Sequence, residues 1–289
     1  LLGIFLLSVR FGFLQADQVY SWVADPHLLH DFPGKNKWLT VDFMLIRDVI
    51  ALLIIVFFVK LHLRWTTKRD ILLVSGDKEE AFKLGIKTQD KLRYWSSPIL
   101  VVYALCFTLL TFDLTMSLAP TWFSTLWGGW SFAIMMQTLM AILLLFMLAV
   151  KGTAIGSFVS RQQFHDVGKL MHGFTVFFAY LTYAHVLTYW YTNIPEETSY
   201  LLTRLQSPWL GYVIAAPFLS FLFPFVFLIF KVSKWTWWFV VPIATIVIIS
   251  QWLSYVLVVT PEVVAPSAWD FPWIESGLFI GFIGFFVTV

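Results

Sequence analysis

Ala51-Leu52-Leu53-Ile54-Ile55-Val56-Phe57-Phe58 decides the fold class. A strand of a transmembrane barrel alternates apolar and polar residues over about ten positions. This run does not alternate, and it sits inside a longer apolar segment, 39–63, of the length a membrane-crossing helix needs, about 20 mostly apolar residues. Seven further segments read the same way: roughly 1–15, 95–118, 122–150, 168–192, 209–231, 235–259 and 273–289, set against that same span length. The first and last are incomplete. The chain starts in mid-run at Leu1-Leu2-Gly3-Ile4-Phe5 and stops in mid-run at Gly284-Phe285-Phe286-Val287, so terminal parts of a longer protein are expected. Pro98, Pro217, Pro224 and Pro242 fall within these runs and are read as kinks, because neighbouring groups can satisfy the carbonyl that a proline orphans in lipid.

Composition agrees. The 289 residues are 59% hydrophobic and 12% charged, with a mean hydropathy of +0.79. A soluble domain carries about 25% charged residues and needs them to cover its surface. A soluble enzyme, a disordered chain and a secreted disulfide scaffold are excluded, leaving an all-α, polytopic membrane bundle of one domain, 1–289. A net charge of +2 gives no reason to expect nucleic acid as a partner. The single cysteine, Cys106, reads as a small buried hydrophobe.

The basic residues set the orientation. The loop 64–93 and its edges carry Lys60, Arg64, Lys68, Arg69, Lys78, Lys83, Lys87, Lys91 and Arg93. Lys151, Arg161 and Lys169 follow the fourth span, and Lys231 and Lys234 the sixth. Intervening loops hold only Lys35, Lys37 and Arg204 beside a majority of acids. Basic loops face the cytoplasm, and the bias alternates in step with eight spans. Trp and Tyr gather at span edges as an interfacial belt; they also suit the walls of a quinone pocket. Within the basic loop, 75–90 has the pattern of a short amphipathic helix on the inner surface.

A charge in hydrocarbon costs several kcal/mol and needs a partner or a task. Arg47 and Asp48 lie in the second span, Asp113 in the third, and Lys169, His172 and His185 in the fifth; Gln137 and Gln251 are polar but neutral. At 1.5 Å per residue, Arg47, Asp113 and His185 lie roughly 12, 8 and 10 Å from the outer edge. Two readings stay open: an outward-facing polar path, or a structural pair such as Arg47 with Asp113. Arg47 and Asp48 are about 100° apart on their helix, so each looks to another helix. His165, Lys169 and His172, at i, i+4 and i+7 beside Asp166, share one face at the inner mouth of the fifth span. That face suits proton uptake or is a solvated helix start. His172 and His185 point in different directions, and no other span interior supplies a histidine, so this chain is expected to bind no haem.

Three stretches, taken in order, resemble one family. They are Phe112-Asp113-Leu114-Thr115-Met116-Ser117-Leu118-Ala119-Pro120-Thr121-Trp122-Phe123-Ser124-Thr125-Leu126-Trp127-Gly128, His165-Asp166-Val167-Gly168-Lys169-Leu170, and Trp190-Tyr191-Thr192-Asn193-Ile194-Pro195-Glu196-Glu197-Thr198. Together they look like the ActF subunit of bacterial alternative complex III, an NrfD-like (polysulfide-reductase-type) membrane subunit of a quinol:cytochrome c, or other electron acceptor, oxidoreductase. The resemblance runs from about Trp22 to the end of the chain. It implies ten spans, of which eight are present here, and a multi-pass place in the bacterial cytoplasmic (inner) membrane. It implies partners: a multihaem cytochrome carrying haem c, an iron–sulfur subunit with its clusters, an NrfD-like paralogue and a terminal oxidase. The chain itself would be non-catalytic and carry no metal, with quinone or menaquinone as its ligand, transmembrane proton conduction as its task, or both. Asp113, Asp166, Lys169, Asn193, Pro195, Glu196 and Glu197 match the family's motifs, and Glu196 and Glu197 would dock a periplasmic subunit. His172 and His185 do not match, since the family usually has an aromatic and a glutamine there. The expected path is therefore Arg47, Asp48, Asp113 and His185 on the outer side, with His165, Asp166, Lys169 and His172 at the inner mouth. A plain scaffold and a secondary transporter are the rival classes; the transporter is disfavoured because no inverted repeat is evident and the polar groups lie off centre.

Overall fold

The computed structural model describes residues 16–30, 32–75, 78–153, 156, 159–264, 266, 269 and 272–288. The expected first span, 1–15, lies outside them. The described residues are helical, without a strand. They fall into two compact units, Leu1–Ser117 and Leu118–Val289. Five helices are long and apolar enough to cross a membrane: Phe82–Leu118, Trp127–Val150, Arg161–Thr192, Leu210–Ile229 and Trp237–Val263.

The first unit is a helical hairpin preceded by short helices over Ala16–Val19, Ser21–Ala24, Pro26–Leu29 and Pro33–Trp38. Its arms are α1 (Val41–Ser75) and α2 (Lys78–Leu114). They are 35 and 37 residues long, or about 53 and 56 Å at 1.5 Å per residue, well beyond the ~30 Å hydrocarbon layer. The polar segment 64–93 is therefore not an open loop, and 75–90 is not a separate surface helix. Lys, Glu, Gln and Arg are good helix formers, so both helices continue beyond their apolar runs, where hydropathy stops seeing them; Val41–Ser75 is not among the five helices apolar enough to cross a membrane. Along the seam, Met44, Asp48 and Ala51 of α1 face Cys106, Leu110 and Asp113 of α2, both rows at helical spacing, with Ile55 and Val102 packed beside them.

The second unit contains α3 (Trp127–Val150), α4 (Arg161–Thr192), α5 (Pro195–Arg204), α6 (Leu210–Pro217), a π-helical turn (Phe218–Leu222), α7 (Phe223–Ile229), α8 (Trp237–Val263) and α9 (Trp273–Thr288). The core interleaves Ala141, Leu144 and Met147 of α3, Phe164 and Met171 of α4, Leu228 of α7, and Ile243, Ala244 and Val247 of α8. The boundaries of α4 follow local chemistry. Ser160 and Gln163 form a reciprocal capping box at its start. Asn193, left-handed at φ 46°, ends it two residues before Pro195. The helix begins seven residues before the apolar run that 168–192 marks.

Candidate functional site

In the first unit, three of the expected residues converge. Arg47 Nε donates to Asp113 Oδ2 and Nη2 to Asp113 Oδ1, both at 2.6 Å. This is the planar fork-to-fork geometry that only arginine gives a carboxylate. The guanidinium carbon lies 3.9 Å from the centre of the Trp38 ring and 4.6 Å from that of Phe43, so aromatic faces shield it. Trp38 Nε1 also donates to Asp113 Oδ1 at 3.2 Å. Asp48 and Asp113 are fully buried. Asp48 is buried near the Asp113 carboxyl, and neither of its oxygens has a hydrogen-bond donor. Arg47 and Asp48, though adjacent on α1, thus both meet Asp113 of α2. Tyr20 is buried beside them. Burial, with Asp48 and Asp113 close by, holds its phenol well above the ordinary tyrosine range.

His185 belongs to the second unit and lines a cavity of about 150 Å³ walled mainly by aromatic rings. Trp122 stacks on Tyr200 at 3.9 Å, and Trp127 on Trp130 at 4.9 Å. His185 is fixed at both nitrogens: Nε2 is 2.8 Å from Ser124 Oγ and Nδ1 2.8 Å from the Leu181 carbonyl. A neutral ring that donates to the carbonyl can accept from Ser124. Arg204, which the sequence places in an outer loop, is buried in the same wall. It donates from Nε to the Leu257 carbonyl at 2.8 Å, from Nη2 to Val258 at 3.0 Å and from Nη1 to Tyr200 at 2.8 Å, and it pairs with Glu262 at 3.0 Å. Burial pushes the Tyr200 phenol up, against the opposing pull of Arg204.

Two of these contacts answer to proline chemistry. Pro261 has no amide hydrogen for the carbonyl four residues before it, Leu257, and Arg204 supplies one. Pro224 likewise leaves Ser220, and Gln137 Nε2 donates to the Ser220 carbonyl at 2.8 Å. Gln137 also donates to Thr175 at 2.9 Å and accepts from Gln251. The two neutral amides thus tie α3, α4, α8 and the π-helical turn into one buried network.

The inner-mouth residues are less tightly built. Asp166 accepts from Gln162 at 2.9 Å and Lys169 at 3.4 Å, and the His165 ring nitrogen is 3.9 Å away. His165 lies against Trp235, and His172 stacks on Phe225 at 5.3 Å. The buried cation here is Lys234, whose stem lies against Gly168. Burial, then the charge of Lys169, pulls its ammonium below the ordinary lysine range. Glu196 and Glu197 sit in the first turn of α5, where a carboxylate suits the helix dipole; the Glu196 side chain lies outside the described residues. No group of three or more His, Cys, Asp or Glu residues suited to hold a metal occurs among the described residues. No family model matches the chain, and no curated protein matches it.

Proposed function

We propose that this chain is the NrfD-like, eight-span core of a membrane subunit in a bacterial quinol-oxidising complex of the alternative complex III type, and that it carries protons rather than electrons. One observation carries the reading: two buried carboxyls, Asp48 and Asp113, lie beside one guanidinium, Arg47, and that guanidinium bonds Asp113 and not Asp48. With both acids ionised the cluster would keep one uncompensated negative charge among apolar helices, at a cost of several kcal/mol. One proton on the cluster removes it. Asp48, whose oxygens no donor reaches, is the acid to take it, while Arg47 stays on Asp113. Tyr20 is the buried phenol whose proton both acids help to hold in place. Electron transfer would belong to haem- and iron–sulfur-bearing companions in the bacterial inner membrane, as the three motifs imply.

A second ligand reading rests on the aromatic cavity. Its size and its stacked tryptophan and tyrosine walls fit one aromatic ring such as a quinone's.

Purification of the native assembly tests the proposal. A subunit set with multihaem cytochrome and iron–sulfur spectra, reduced by quinol, is the expected result. A chain that purifies alone, folded and transporting a solute in liposomes, would sink it.

A further inference from the structure

The outward face of α1 changes character once along its length. Ile46, Ile50, Leu53 and Phe57 are exposed at helical spacing. They span about 16 Å of rise, and Ile50, Leu53 and Phe57 lie on the inner side of the midplane by the depth of Arg47. The same stripe then continues as Lys60, Leu63, Arg64, Thr67, Lys68 and Ile71, all exposed. Together with Leu72 they make one open face of the helix on which cations and apolar side chains mix. Lys60, Arg64 and Lys68 fall at i, i+4 and i+8, within about 12 Å of rise. Among the described residues no carboxylate pairs with any of the three. Asp70, the nearest acid in sequence, is held by Arg69 at 2.6 and 2.8 Å.

We infer that this face is a binding site for an anionic phospholipid of the inner leaflet. The acyl chains lie along Ile50, Leu53 and Phe57. The headgroup phosphate sits among Lys60, Arg64 and Lys68, within reach of the Thr67 hydroxyl. Charge complementarity, next to an exposed apolar stripe, selects the occupant. Three like charges on one helix face repel one another unless a counter-ion joins them, and cations at headgroup depth attract anionic lipid. A soluble phosphate would meet the cations but leave the apolar stripe below them unused. A zwitterionic lipid would fit the stripe but add no net charge. The inference rests on the membrane-spanning part of the proposed function and not on its redox part.

The test uses the full chain in detergent micelles, with bound lipid counted by native mass spectrometry and stability followed by thermal unfolding. Three additions are compared: dioleoyl-phosphatidylglycerol, dioleoyl-phosphatidylcholine and inorganic phosphate. Phosphatidylglycerol is expected to bind and to raise the midpoint, with the other two having little effect. The triple variant K60Q/R64Q/K68Q is expected to bind it at least tenfold more weakly. A control that removes the same charge from α2, K83Q/K87Q/R93Q, is expected to bind as the wild type does. Equal response to the two lipids, a response to phosphate alone, or equal loss in both triple variants would each overturn the assignment. R64Q alone, expected to weaken binding severalfold, keeps the question open to decision should the triple variant misfold.

Discussion

Arg47 and Asp113 meet through two parallel hydrogen bonds of 2.6 Å, with the guanidinium lying over the Trp38 ring. The pair joins the two arms of the hairpin well inside the expected hydrocarbon zone. Removing one partner strands the other, so Arg47→Met or Asp113→Asn alone is expected to cost about 3–5 kcal/mol. The double variant Arg47→Met/Asp113→Leu should recover much of that, since no buried charge of this pair is then left alone. Unfolding equilibria of all four proteins in mixed micelles check this. Equal losses in single and double variants would mean that the pair is not coupled.

The Arg204–Pro261 relationship predicts conditional importance. Arg204→Ala leaves the Leu257 carbonyl with neither a helical nor a side-chain donor, at about 1–3 kcal/mol for a buried orphan group. In a Pro261→Ala background an amide is restored at position 261, and the same Arg204→Ala change should cost measurably less. Additive losses would show that Arg204 acts only through Glu262 and Tyr200. The parallel pair, Gln137→Leu with and without Pro224→Ala, tests the same logic at Ser220.

Gly168 is set by close approach rather than by backbone conformation. A Cβ there would lie 2.9 Å from Lys234 Cγ and 3.0 Å from its Cβ. Gly168→Val is expected to destabilise by about 1–3 kcal/mol, as overpacking does, and Lys234→Gly, which removes both contacting atoms, should relieve it more than Lys234→Ala, which keeps one of them. Thermal unfolding of the single and double variants measures both effects.

Burial pushes Lys35 down to about 8 from the ordinary 10.5. Between those values the unfolded chain binds more protons than the folded one, so stability should rise with pH across that window and be lowest below pH 8. Lys35→Gln should flatten the rise. A Lys35 side-chain titration by NMR with a midpoint near that of a free lysine would contradict the assignment.

Much of this was legible in the sequence, and the misses have physical causes. Helix class followed from unalternating runs such as Ala51 to Phe58. Hydropathy placed the apolar parts of α3, α6 to α8 and α9, but it cannot see a helix continuing into water, so α1, α2 and α4 extend beyond it. Arg47 and Asp113 stood out because charge is rare in such runs. Arg204 did not, because its acceptors are backbone carbonyls 53 and 54 residues away. The one local hint was Pro261, whose orphaned carbonyl names no partner. The aromatic cavity was equally hidden: Trp122 and Trp127 read as interfacial anchors, Tyr200 gave no signal, and only the fold stacks Tyr200 on Trp122.

The acid pair is the centre of the account, and Asp48→Asn is its sharpest probe. The substitution keeps the side chain's volume and leaves the Arg47–Asp113 bridge standing, while removing the acid that no donor reaches. In the assembled native complex, reconstituted into proteoliposomes, the measurement is protons moved per quinol oxidised. A clear fall in that ratio, with assembly and redox spectra intact, is the expected result. An unchanged ratio at unchanged turnover would contradict a proton-carrying role for the pair.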